Sequence, residues 1–301
     1  MTPQRPRVLI IGGGPGGIAC GIWAARLGLQ AWLLEASDSL GGQLRTVLSP
    51  VTDYPGIPGV DGPGLAARFV EHLRQTDVTL RLGCSIASVQ EQPPKVTTTD
   101  GEALEGDAII VATGARRRRL GLDREAALVG HGISYSVSKD RGRAAGRAAV
   151  IVGGGDSAAE GAASLAEVCP AVHLVYRDEL SARPDFVAAA RAARAVCAHP
   201  GRRVTELYGS TELEGVGLDD GTKLECSSLF IRIGVEPCTE LLQSLLPCDE
   251  RGFLRVDDQQ RCRGAIYAVG DVCSPDRMAV SVAVGQAMVA CKAIQQSWRR
   301  A

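Results

Sequence analysis

An α/β architecture of two three-layer, parallel-sheet domains, the second inserted into the first, is predicted by three observations. A strand–glycine turn–helix–strand unit spans residues 8–35, the same unit recurs over residues 148–176, and two buried strands, residues 107–114 and 264–271, close the first domain from either side of the second. Each element has its own local justification.

Val8-Leu9-Ile10-Ile11 is a short branched apolar run bounded by glycine, the pattern of a strand buried on both faces. Gly12-Gly13-Gly14-Pro15-Gly16-Gly17 then satisfies G-x-G-x-x-G. Gly12 permits the tight turn, Gly14 lets backbone approach a pyrophosphate, and Gly17 lets the following helix, residues 18–27, lie close to the strand. That helix points free N–H groups and its positive end at phosphate. A second apolar run ends at Glu35, 23 residues after Gly12, where a carboxylate can accept both hydroxyls of an adenosine ribose. The order of strand, glycines, helix, strand and acid makes this a Rossmann-like dinucleotide site.

The length of 301 residues accommodates two such domains. A formal net charge of −1 gives no basic field for nucleic acid or a membrane surface. The apolar run ahead of the first glycines is too short for a secretory signal, and no later run reaches a membrane span, so a cytoplasmic protein is expected. Ten cysteines with no C-x-x-C pair read as reduced, mostly buried thiols, not a disulfide framework or a metal cluster.

In chain order, residues 39–58 are rich in glycine and proline and read as a loop over the ligand. Leu65, Phe69 and Leu73 define a helix over residues 64–75, and residues 78–89 and 96–99 read as strands of a hairpin-rich insertion closed at Asp100-Gly101. Residues 107–114, DAIIVATG, form a buried strand ending in a small-residue turn. The fingerprint then repeats: a strand at 148–152, Gly153-Gly154-Gly155-Asp156-Ser157-Ala158, a helix over 157–168 and a strand at 172–176. A helix is expected over 185–197, strands near 203–207, 215–218 and 229–233, and a small-residue helix over 280–294. The domains are therefore placed at residues 1–115 with 246–301, and at 116–245.

With GGGPGG, GGQL at 41–44, DYPGIPG at 53–59, ATG at 112–114, GGGDSA at 153–158 and GD at 270–271, the chain resembles the low-molecular-weight thioredoxin reductases of the pyridine nucleotide-disulfide oxidoreductase superfamily. Six blocks in order cover nearly the whole chain. The resemblance implies an FAD domain, an NADPH or NADH domain and a homodimer. It places Gly12, Gly14, Pro15, Gly16, Gly17 and Glu35 on the ADP half of FAD. Gly42, Gln43, Leu44, Asp53, Thr113 and Gly114 fall along the flavin or its linker, and Gly270 and Asp271 at the ribitol. Arg277, Met278 and Ala279 face the pyrimidine edge, Met278 standing where the family usually has glutamine. Gly153, Gly155, Asp156, Ser157 and Ala158 form the second nucleotide turn.

Two departures shape the functional expectation. The family carries Cys-Ala-Thr-Cys-Asp ahead of the second glycine turn, and here Tyr135 to Asp140 reads YSVSKD, so Ser136 and Lys139 stand at the two redox cysteines. Neither side chain exchanges disulfides; Ser136, Lys139 and Asp140 become acid–base candidates, with His131 a weaker one. The family's NADPH members also carry a fork of cations after the second strand, whereas this chain has Arg177 followed by Asp178 and Glu179, with Arg183 beyond. The expected protein is an FAD-dependent oxidoreductase passing electrons from NAD(P)H through flavin to a small molecule or electron carrier other than thioredoxin. The alternative is a flavin oxidase of a small molecule that uses oxygen and no pyridine nucleotide. The run Arg116 to Arg119 reads as a solvated turn between domains, Cys273 as a buried inert thiol, and the four histidines, at 72, 131, 173 and 199, as scattered.

Overall fold

The computed structural model describes residues 5–47 and 50–300. It divides into two compact units, Met1–Arg116 with Glu236–Ala301, and Arg117–Val235. The second boundary falls ten residues before the expected one. Leu242 and Leu246 explain the shift: both are buried with Leu9, Ile109 and Val111 under the first unit's sheet, so the turns that carry them belong to that core.

In the first unit a six-stranded sheet runs Arg261–Arg263, Ile266–Ala268, Ala108–Val111, Arg7–Ile11, Gln30–Leu34 and Thr79–Arg81. All neighbours are parallel except the outermost pair, Arg261–Arg263 with Ile266–Ala268. The central strands read as unbroken branched runs because both their faces are covered. One face packs on the helices Pro15–Arg26 and Val280–Arg300, where Cys20 and Ala24 meet Ala287, Ala290 and Cys291. Small side chains here let the helices come close enough for the Cys291 thiol to donate to the Cys20 carbonyl at 3.4 Å. The other face packs under a three-stranded antiparallel sheet, Ile86–Gln90, Lys95–Thr98 and Ala103–Glu105, through Val96 and Leu104. The expected strand at 78–89 is thus two elements: Thr79–Arg81 extends the parallel sheet beside Gln30–Leu34, and only the later half enters the antiparallel layer.

The second unit repeats the plan. Its parallel sheet runs Val196–Pro200, Val172–Tyr176, Ala149–Val152, Ser228–Ile231 and Ile133–Ser134. Helices Val137–Ala144, Asp156–Ala166 and Pro184–Ala192 contribute to the cluster on one face, and an antiparallel sheet of Val204–Tyr208, Gly215–Leu218 and Lys223–Glu225 covers the other. The helix expected over 185–197 stops at Ala192, and residues 196–200 form an edge strand. The alanine- and arginine-rich sequence favours helix locally. The ladder with Val172–Tyr176 supplies backbone partners that a longer helix would leave unpaired on the sheet, and it prevails.

Both fingerprint helices begin earlier than expected, at Pro15 and Asp156. Pro15 is the first helical residue, where its fixed φ suits the turn and its missing N–H has no partner to lose. The loop at 39–58 contains a 3₁₀ turn, Gly42–Thr46; residues 48–49 of it lie outside the described residues. Among the described residues no helix is long and apolar enough to cross a membrane.

Candidate functional site

The three glycine roles expected of the first turn are distinct in the structure. Gly12 has φ +106° and a Cβ there would fall 2.4 Å from the Ala112 carbonyl oxygen. A Cβ at Gly17 would fall 1.8 Å from the Gly12 carbonyl oxygen, so the helix can start this close to the strand only with glycine. Gly14 differs: its Cβ direction meets nothing nearer than the Gly42 Cα at 4.0 Å. The space over Gly14 is open where the other two are closed.

Gly14 also caps the helix Pro15–Arg26, and no side chain bonds to the start of that helix. The helix Asp156–Ala166, capped by Gly155, is likewise bare. By contrast Asp61 accepts from the Gly64 N–H at 2.8 Å and Ser136 from the Lys139 N–H at 3.4 Å at two other helix starts. Free donors and a positive helix end are therefore left at the two glycine turns, the arrangement that holds a phosphate.

Around the first turn the expected residues converge. The Gly41 N–H donates to the Gly13 carbonyl at 2.8 Å, which lays the 41–44 turn against the cradle. Gln43 Nε2 donates to Asp271 Oδ2 at 2.8 Å, and a Cβ at Gly114 would meet Gln43 Nε2 at 3.8 Å. Gly12 to Gly17, Gly42, Gln43, Gly114 and Asp271 thus line one end of one sheet, outside the carboxyl ends of its strands. Glu35 Oε2 accepts from the Gly13 N–H at 2.6 Å and Oε1 from the Ser37 N–H and hydroxyl at 2.8 and 2.7 Å. Oε1 is thereby fully used, and Oε2 keeps one lone pair for a ribose hydroxyl, not the two acceptors expected. Burial holds the Asp271 carboxyl above the usual carboxylate range, opposed by the Gln43 bond. Its Oδ1 has no protein partner among the described residues, so a polyol hydroxyl would meet an unspent acceptor.

A family model described as pyridine nucleotide-disulphide oxidoreductase matches residues 6–287. The chain belongs to that family. Similar members include a thioredoxin reductase of Mycolicibacterium smegmatis, 32% identical over 274 residues and covering 88% of each chain. A subunit of the alkyl hydroperoxide reductase of Xanthomonas campestris pv. phaseoli is 28% identical over 291 residues; the match takes in 93% of this chain and 54% of that protein, about half its length. The thioredoxin reductase of Lactococcus lactis superposes with a TM-score of 0.78 at 27% identity, covering 99% of this chain and all of the other. The thioredoxin reductase-like relatives use FAD and NADPH. The open space over Gly14, the uncapped helix start, the remaining lone pair of Glu35 Oε2 and the unpartnered Oδ1 of Asp271 fit the phosphates, ribose and ribitol of FAD.

Other expected residues of this pyridine nucleotide-disulphide oxidoreductase are placed differently. Leu44 is buried with Val51, Leu65 and Ala66, so its side chain is core and does not face a ligand. The Thr113 hydroxyl donates to the Cys238 carbonyl at 2.8 Å, anchoring the returning chain. Asp53 is exposed in its loop, and among the described residues no hydrogen bond joins it to the cradle. Arg277, Met278 and Ala279 immediately precede the helix Val280–Arg300, and the Ala279 carbonyl accepts its first bond, from Ala283. Gly270 donates its N–H to Gln286 Oε1 at 2.7 Å, which aims the Asp271 turn. Burial pushes the Cys273 thiol up to about 12, in line with an inert thiol.

In the second unit Gly153 repeats the part of Gly12, with φ +143° and a Cβ direction ending 2.2 Å from the Arg232 carbonyl oxygen. Nothing lies over Gly155, as over Gly14. Asp156 opens the helix but turns aside: its carboxylate accepts the Arg183 N–H at 2.7 Å and pairs with Arg183 Nε at 3.2 Å. Arg183 also lies over the Phe186 ring at 4.1 Å. Of the two arginines offered for a 2′-phosphate, Arg183 is therefore engaged, and Arg177 stands exposed beside exposed Asp178 and Glu179. Ser157 and Ala158 follow in the first helical turn, where Ala158 is buried.

Ser136 caps the helix Val137–Ala144, Lys139 is exposed in its first turn, and Asp140 Oδ2 accepts from the Ser134 hydroxyl at 2.6 Å. His131 does not join this group; its ring faces Glu212 at 3.4 Å in an exposed turn. Sequence pattern does not single out two charged residues near the group. Glu125, 3% exposed, accepts from the Gly121 N–H at 2.8 Å and pairs with the Tyr135 hydroxyl. Arg232 donates Nη1 to the Tyr135 carbonyl at 2.6 Å, while its buried Nε has no partner among the described residues. An arginine inside the apolar run LFIRIG is the available signal. Two members of the arginine run are engaged locally: Arg116 pairs with Glu236 and Glu240, and Arg118 donates to the Val235 carbonyl, while Arg117 and Arg119 are exposed.

Proposed function

We propose that this chain is an FAD-dependent oxidoreductase that takes electrons from NAD(P)H and passes them to an acceptor other than a thioredoxin disulfide. The observation that carries this is the helix start at 136–139, where Ser136 serves as N-cap and Lys139 as a solvent-facing cation. Neither can hold a disulfide, and the chain contains no C-x-x-C. Bound FAD supplies hydride acceptance and electron release. The chain's own part is to hold the pyrophosphate at Gly12 to Gly17, the ribose at Glu35 and the ribitol at Asp271. The start of the helix Val280–Arg300 presents N–H groups that stabilise negative charge at the pyrimidine edge. The second unit's acid–base candidates in this reading are Lys139, a proton donor, and Asp140, held in place by Ser134. A homodimer, as the thioredoxin reductase resemblance implies, is part of this reading.

A second reading, a flavin oxidase of a small molecule that works without a pyridine nucleotide, draws its support from the Asp156–Arg183 pair and the acids beside Arg177. Anaerobic mixing of the yellow protein with NADPH and with NADH separates the two. Rapid bleaching by either, with no thioredoxin disulfide reduction above the free-flavin background, is expected. No bleaching by either nucleotide, or thioredoxin reduction above background, would overturn the first reading.

A further inference from the structure

The edge strand that sequence periodicity hides behind a helix brings together three side chains that the sequence leaves scattered. In the ladder between Val172–Tyr176 and Val196–Pro200, His173 lies opposite Cys197 and Val175 opposite His199. Residues 197 and 199 are two apart on one strand, so their side chains share a face with that of His173. On that face His173 Nδ1 and His199 Nε2 lie 3.0 Å apart. One ligand atom from each of His173, Cys197 and His199 falls within 4.8 Å of the other two.

We propose that His173, Cys197 and His199 form a zinc site on the outer edge of the second unit, away from the glycine turn at 153–158 in the sheet. In a tetrahedral site with bonds of about 2.0–2.3 Å, ligand atoms sit about 3.4–3.8 Å apart. From the present separations the trio reaches that spacing by small side-chain rotations. A histidine pair alone would be accounted for by one hydrogen bond between rings. The third group is what points to a metal, because a thiol on the same face adds nothing to that bond and completes a donor set of one sulfur and two imidazole nitrogens. Such a set suits a borderline-soft divalent ion and is poor for magnesium or calcium, which take oxygen.

Chemical state and access agree. Burial pushes both imidazoles below their ordinary range, the neighbouring His199 adding to the effect on His173 and Asp220 opposing it on His199. Binding moves the one proton shared between the rings to the outer nitrogen of the ring that carries it, so that both inner nitrogens face the ion, and displaces the Cys197 thiol proton, one proton released per zinc. Cys197 is the single exposed cysteine of the ten, and its strand is the sheet edge, so the ion has an entry path and a fourth position open to water. The bound ion ties the edge strand to its neighbour by side chains as well as by the ladder.

The test uses the full chain as purified, reduced and freed of metal by a chelator. Zinc titrated against a chromophoric chelator is expected to bind at one per chain and to protect Cys197 from iodoacetamide in peptide mapping. Cobalt in its place is expected to give a thiolate-to-cobalt charge-transfer band. Cys197→Ser and His199→Gln should each weaken zinc more than about 100-fold, beyond what losing a mere supporting partner costs, while Cys248→Ser leaves it unchanged. Cys197 is exposed, so its serine variant is expected to keep the wild-type unfolding temperature. Zinc affinity unchanged in Cys197→Ser, or Cys197 alkylated equally with and without zinc, would overturn the proposal. Neither readout depends on which flavin reading holds.

Discussion

Alanine placed at Gly14 and at Gly17 should separate stability from FAD binding, although the two glycines sit three residues apart in one motif. At Gly17 the new methyl would fall 1.8 Å from the Gly12 carbonyl oxygen, which belongs to the backbone of the turn and cannot step aside. Overpacking of this kind costs about 1–3 kcal/mol or more, and the apoprotein should lose stability accordingly. At Gly14 the methyl meets only the Gly42 Cα at 4.0 Å, and the backbone, φ −74° and ψ −175°, is open to any residue. There the loss of glycine's freedom in the unfolded chain, about 0.4–1 kcal/mol, is offset by the poorer N-cap that alanine makes, so the apoprotein should stay within about 1 kcal/mol of wild type. For a unit of this size that is a Tm within about 4 °C of wild type. The same methyl occupies the space through which a pyrophosphate reaches the bare helix start. Losing one charge-assisted hydrogen bond is worth about 1.5–3 kcal/mol, so FAD should bind about 10- to 150-fold more weakly to Gly14→Ala. Thermal unfolding of the apoproteins and fluorescence titration of each with FAD read both halves. A Gly14→Ala apoprotein as unstable as Gly17→Ala, or one that binds FAD within twofold of wild type, would refute the assignment of the open space to phosphate.

Three further outcomes follow from the same geometry. Asp271 is held above its ordinary pKa by burial, so its ionised form disfavours the fold: the loss sets in as pH rises past 3.8 and is complete above the raised value. Asp271→Asn should therefore stabilise the apoprotein at neutral pH by an amount that shrinks as pH falls toward 3.8, and weaken FAD binding; a Tm difference independent of pH would contradict this. Ser136→Ala removes an N-cap whose bond is long at 3.4 Å, so a loss near the low end of the usual range, about 0.5–1 kcal/mol, is expected by denaturant unfolding, and no loss would show that the cap is idle. Asp178→Arg adds an exposed cation beside Arg177 and should shift the ratio of flavin reduction rates toward NADPH by about two- to fivefold, less at high salt, whereas an unchanged ratio would place the 2′-phosphate elsewhere.

The two glycine turns, the strands that feed them and Glu35 were legible in the sequence because their constraints are local. A turn at φ +106° and a helix start where a Cβ would fall 1.8 Å from a backbone carbonyl oxygen admit little but glycine whatever packs around them. Ser136 and Lys139 in place of two cysteines were equally plain, being a matter of residue identity. Tertiary structure decided the rest. Leu44 and Gln43 are adjacent, yet one is core and the other reaches Asp271, a partner 228 positions away that no local period announces. Arg183 looked available for a phosphate until the fold set it against Asp156, and residues 193–197 looked helical until the neighbouring strand offered residues 196–200 a ladder. That same pairing gathered His173, Cys197 and His199, because register between strands distant in sequence is chosen by the burial of the whole sheet and leaves no mark in the spacing of the residues it brings together.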